Sequence, residues 1–168
     1  MGALGYTMQM PEEEKYLMSK DEILDEITVL LAGRAAEEIV FNTKTTGAAN
    51  DIERANDLAR SMIAQYGMSD KFGMAALEKM QSKYLDGRNV ANCSEETQTQ
   101  LDNEIIKVLK DAHEKAMKLL SENMDALNRI AEFLIERETI TGEQFMNILN
   151  EIREERKEKA EEKALDEE

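Results

Sequence analysis

The sequence predicts an all-α fold with one short β-strand at its N-terminus. Three observations carry this. Apolar residues recur at helical spacing along most of the chain, one proline and eight glycines interrupt it little, and aromatic residues are only 5% with no tryptophan. A sandwich or barrel would instead need many short β-branched and aromatic runs divided by turn residues. With 168 residues the chain has room for one domain with a sizeable core, placed at residues 1–150, and a charged extension over 151–168.

The strand is read over residues 3–10, where Leu4, Tyr6 and Met8 alternate with Gly5, Thr7 and Gln9 before Pro11. A lone strand is not stable, so it requires a partner that the sequence does not display clearly. Ser19 and Glu22 have the spacing of a capping box, and Ile23, Ile27, Leu30, Leu31, Ala35 and Ile39 follow at helical spacing to about Phe41. Residues 42–49 form a polar loop. A second helix opens at Asn50 or Asp51, places Ile52, Ala55, Leu58, Ala59, Met62 and Ile63 on one face, and stops at Gly67. Periodicity weakens over 68–93, where Gly73, Gly87 and Asn89 imply extended or loop-rich chain.

Helix returns at Ser94 with a long stripe of Leu101, Ile105, Val108, Leu109, Ala112, Ala116, Leu119 and Leu120. Leu127, Ile130, Ala131 and Leu134 continue it beyond a break near residues 121–123, so the segment is a helical hairpin or a bent long helix. Thr141 and Gln144 form another capping pair, which starts a last helix carrying Phe145, Ile148, Leu149 and Ile152. From Glu151 the chain is charged nearly throughout, as suits a solvated helical extension or a disordered tail.

The 36 acidic against 21 basic side chains leave a formal charge of −15. Such a surface repels phosphate backbones, which excludes nucleic acid as a partner, and it disfavours docking on anionic lipid. The longest apolar run, Ile27 to Ala32, is far short of the about 20 residues needed to cross a bilayer, and no signal peptide opens the chain. Cys93 is the only cysteine, so no intrachain disulfide forms; a cytoplasmic, reducing setting is expected. Cys93 lies in a polar stretch with no neighbouring histidine and reads as a surface thiol.

The chain has no P-loop, no glycine-rich dinucleotide fingerprint and no G-x-S-x-G elbow. Its one histidine, His113, is flanked by Asp111, Glu114 and Lys115, which implies a solvated or edge position. A zinc site takes three or four ligands, so His113 alone does not make one. The remaining candidates are acidic: Glu37 and Glu38 end the first helix, while Asp51 and Glu53 begin the second. These carboxylates could converge on a metal, or they could favour a helix N-terminus by about 0.3–1 kcal/mol. Spacing alone favours the capping reading; a carboxylate metal cluster in a novel helical enzyme ranks behind it.

Particular residues then say more than periodicity. The blocks GALGYT (2–7), KYLMSK (15–20), GRAAEEIVF (33–41), TGAANDIERA (46–55), YGMS (66–69) and LIERETI (134–140) stand in the order of the FtsH-type peptidase domain. The chain resembles that family from Gly2 to about Leu149. The resemblance implies a mostly helical zinc endopeptidase domain that follows an ATP-driven unfolding module. It also implies a ring of six copies, protein substrates, and a membrane anchor elsewhere that holds the intact enzyme at the cytoplasmic face.

Zinc in that family is held by two histidines of an H-E-x-x-H helix and by an aspartate farther along, and the glutamate of the helix acts as general base. The aspartate carries over to Asp51. Glu38 is the candidate for a residue that steadies a ligand histidine, and Arg34 could equally pair with Glu37 or Glu38. The H-E-x-x-H helix should precede residue 3, so both histidines and the general base are expected to be missing from the 168 residues. On that reading the isolated chain holds no zinc, cleaves nothing and self-associates through its uncovered strand edge. The alternative is a free-standing, non-catalytic module that caps, regulates or competes with a complete protease.

Overall fold

A computed structural model describes residues 17–80 and 89–166. The strand expected over residues 3–10 lies outside them. Helix dominates, as the sequence predicts: α1 (Lys20–Phe41), a 3-10 turn (Thr46–Ala48), α2 (Ala49–Ala64), α3 (Glu95–Glu122), α4 (Met124–Arg137) and α5 (Gly142–Asp166). The described strands are β1 (Glu78–Met80) and β2 (Asn89–Ala91), an antiparallel pair with Lys79 opposite Val90, inside the stretch read as extended. No helix among the described residues is long and apolar enough to cross a membrane.

Local chemistry sets the helix ends. Ser19 and Glu22 form the expected capping box: the Ser19 N–H donates to Glu22 Oε2 at 2.8 Å and the Glu22 N–H donates to Ser19 Oγ at 3.3 Å. Thr141 and Gln144 repeat it at α5, at 2.9 and 3.3 Å. At the end of α2 the chain turns through Gly67 with φ +64°. A Cβ there would lie 3.2 Å from Met74 Cα and 3.3 Å from Gly73 O, so both conformation and space call for glycine. The break after α3 falls at Asn123, whose Nδ2–H donates to Leu119 O at 2.8 Å.

The described residues form two compact units, one up to Leu31 with Thr46–Ala112 and one of Ala32–Thr45 with the residues from His113 on. The first holds the main core: Ile23, Ile27, Leu31, Ala55, Ala59, Met62, Ile63, Ala64, Leu77, Leu101, Ile105 and Ala112. Its largest fully buried side chains are Ile27, Met62, Ile63 and Leu101. Ile52, expected on the buried face of α2, is exposed instead. The β pair joins this unit through main chain, since Leu77 N–H donates to Ala64 O at 3.0 Å and Asn92 N–H to Leu77 O at 2.8 Å. Arg60 adds a side-chain tie between α2, β1 and α3, reaching Glu78 Oε1 at 2.7 Å and Asp102 Oδ1 at 2.8 Å. Burial alone would lower the Arg60 pKa, but the two carboxylates outweigh it and raise it.

In the second unit α5 packs along α4. Ile152 is buried, Arg129 Nη2 donates to Glu155 Oε1 at 2.7 Å, and Arg156 reaches across three residues at the α3–α4 break. Its Nε donates to Asp125 Oδ2 at 2.9 Å, Nη1 to Asn123 Oδ1 at 3.1 Å and Nη2 to Glu122 O at 3.1 Å. Helix α5 therefore runs unbroken past residue 150, and its first charged turns are anchored. Replacing Ile152 with alanine should destabilise the chain by about 2–3 kcal/mol, read as a lower denaturant midpoint, because it leaves a cavity at a buried position.

Candidate metal centre

The carboxylates singled out in the sequence have different surroundings. Glu37 fastens the loop after α1. Thr45 N–H donates to its Oε2 at 3.1 Å, and the Thr45 hydroxyl donates to Oε1 at 2.5 Å. Arg34 completes the fastening, with Nη2 donating to Thr45 O at 2.6 Å and Nε 3.8 Å from Glu37 Oε2. Arg34 thus pairs with Glu37, one of its two expected partners. The Thr45 hydroxyl first and the Thr45 N–H second hold the Glu37 carboxyl below the ordinary glutamate range, with Arg34 adding to them against the effect of burial.

Glu38, next in sequence, points elsewhere. Its Oε1 lies 3.5 Å from Lys44 Nζ and 3.4 Å from His113 Nε2. The sequence placed His113 at a solvated edge and gave no hint of this approach, because helical periodicity does not say which residue of another helix will face a given side chain.

Asp51 sits in the first turn of α2, half-buried. The helix starts two residues earlier than Asp51, after the 3-10 turn, and its N-cap is Ala48 with no side-chain capping bond. Neither Asn50 nor Asp51 caps it. Among the described residues the Asp51 side chain takes part in no hydrogen bond or ion pair, which leaves both carboxylate oxygens available as donors to a cation. Glu53 is exposed on the same helix. No three His, Cys, Asp or Glu side chains gather among the described residues in a way that could hold a metal ion. One carboxylate is fewer than the three or four ligands a zinc site takes, so among the described residues Asp51 has no company that would complete one.

Comparison with known proteins shows the family. The chain belongs to peptidase family M41, whose model matches residues 1–148. It is 60% identical over 149 residues to an ATP-dependent zinc metalloprotease FtsH of Clostridium perfringens, covering 89% of this chain and 21% of that protein. It is 53% identical over 148 residues to the protein of the same description in Lancefieldella parvula, covering 88% and 23%. For that of Thermotoga maritima the identity is 45% over 152 residues, covering 89% and 25%. The chain thus spans between a fifth and a quarter of the length of these curated relatives.

The Glu37–Thr45 contact makes a pH-dependent prediction. Glu37 has a lowered pKa in the folded chain, so its contribution to stability is present above the ordinary glutamate value of about 4.3 and is lost as pH falls through the folded value. Thr45→Val should raise the Glu37 pKa in a carbon-detected NMR titration and flatten the loss of stability below about pH 4.

Proposed function

We propose that these residues are the part of the proteolytic domain of an ATP-dependent zinc metalloendopeptidase that supplies its aspartate ligand. The observation that carries this reading is Asp51: a half-buried carboxylate, unpaired among the described residues, in the first turn of a helix packed into the main core. Bound zinc supplies Lewis-acid activation of a water that attacks the peptide carbonyl. The part of Asp51 is to hold an oxygen donor at a fixed place, because α2 is anchored by buried Ala55, Ala59, Met62 and Ile63. Glu38 is the carboxylate that steadies a ligand histidine.

The chain contains His113 as its only histidine and no H-E-x-x-H sequence, so the other two ligands and the general base must come from outside these residues. Protein substrates, assembly as a ring of six, ATP-driven delivery and a membrane anchor at the cytoplasmic face belong to the same reading. They rest on membership of the family and on relatives described as ATP-dependent zinc metalloproteases.

Zinc content measured after exchange into metal-free buffer tests this. The 168 residues alone should retain almost no zinc and leave casein intact, with or without Asp51→Ala. The same residues joined to an H-E-x-x-H helix should bind zinc and cleave casein, and Asp51→Ala should abolish both. Zinc and cleavage that survive Asp51→Ala would remove Asp51 from the site. A joined chain that never takes up zinc would favour the non-catalytic module.

A further inference from the structure

The Nε2 of His113 is buried and makes no hydrogen bond of accepted geometry, yet it stands 3.4 Å from Glu38 Oε1. The two side chains are 27% and 19% exposed, so neither is freely solvated. Lys44 Nζ approaches the same Glu38 oxygen at 3.5 Å from the loop after α1. A buried ring nitrogen with no partner is unfavourable, and a small movement of either side chain turns the approach to Glu38 into a hydrogen bond. The neighbouring Glu37 is engaged elsewhere, with each of its oxygens accepting from Thr45.

We infer that His113 positions Glu38: the ring donates an Nε2–H to Glu38 Oε1. With Lys44 on the same oxygen, the carboxylate is pinned in one orientation and Oε2 is left to accept from a further group. The inference rests on the proposed role of Glu38 toward a zinc-binding histidine, and it adds the residue that aims Glu38. Lys44 is mostly exposed and on a loop, so it supplies charge but little direction. His113 stands on the long helix α3, and its ring has a fixed donor axis.

A single histidine makes the test clean. A long-range proton–nitrogen correlation spectrum of the 168-residue chain reports one imidazole. The expected result is a protonated Nε2 whose Hε2 signal is protected from exchange with water. It should vanish in Glu38→Ala and move upfield in Glu38→Gln, which keeps the size of the acceptor without its charge. A ring protonated on Nδ1, or an Hε2 signal untouched by both substitutions, would overturn the inference. In the chain joined to an H-E-x-x-H helix, His113→Phe should lower kcat for casein at unchanged KM, by less than the roughly 10- to 100-fold typical of a residue that touches a metal ligand directly. His113→Gln, which puts an N–H back near the position of Nε2, should recover most of that loss. Equal kcat in the Phe variant would also overturn the inference. Failure of the wider reading shows separately, as zinc and cleavage that persist in Asp51→Ala whatever the spectrum of His113.

Discussion

Burial of small alanines among a few large apolar side chains is the arrangement on which the main core depends. Ala55, Ala59 and Ala64 of α2 and Ala112 of α3 are buried in the first unit, beside the larger Ile27, Met62, Ile63 and Leu101. Alanine costs no side-chain entropy on burial, while the few large side chains supply most of the apolar volume. The same device recurs in the second unit at Ala35, Ala116 and Ala126. A chain with so few aromatics still buries a core because its helices carry both kinds of residue at the right period. The anchoring of α2, whose first turn bears Asp51, follows from this packing.

Arginines fasten what the core does not reach. Arg34 ties α1 to the loop that follows it, Arg60 joins α2 to β1 and α3, and Arg156 secures α5 at the α3–α4 break. Arg60 and Arg156 each use two or more guanidinium nitrogens, which fixes direction as well as charge in a way that one ammonium cannot. In a chain with an acidic excess of 15 charges these cations are surrounded by acceptors, and tertiary geometry decides which acceptor each one takes. Among the described residues the Arg60 network leaves Glu78 Oε2 without a partner in a side chain that is only 5% exposed. That oxygen carries a desolvation cost which the bond between Oε1 and Arg60 offsets.

Much of the architecture was legible in the sequence because its signals are local. A capping box acts over three residues and an apolar stripe over four, so Ser19–Glu22, Thr141–Gln144, the span of α1 and the break at Asn123 could be read directly. The start of α2 was misread because the 3-10 turn at Thr46–Ala48 has no strong side-chain signature, and Ala48 takes the N-cap without a capping side chain. The short β pair was read only as extended chain, since strands of three residues give almost no alternation to detect. Asp51 and Glu38 were picked out by the family likeness; periodicity alone offered helix capping, which the structure does not use at Asp51.

By itself the sequence determined the helical fold class, most helix boundaries and membership of peptidase family M41. Tertiary structure alone decided the pairings: Arg60 with Glu78 and Asp102, 18 and 42 residues away, Arg156 with Asp125, 31 residues away, and His113 with Glu38. The physical reason is one of range. Caps and amphipathic stripes are settled within a turn or two of helix, whereas an ion pair between helices depends on how their buried faces dock, and many acidic side chains in this chain could have filled each place.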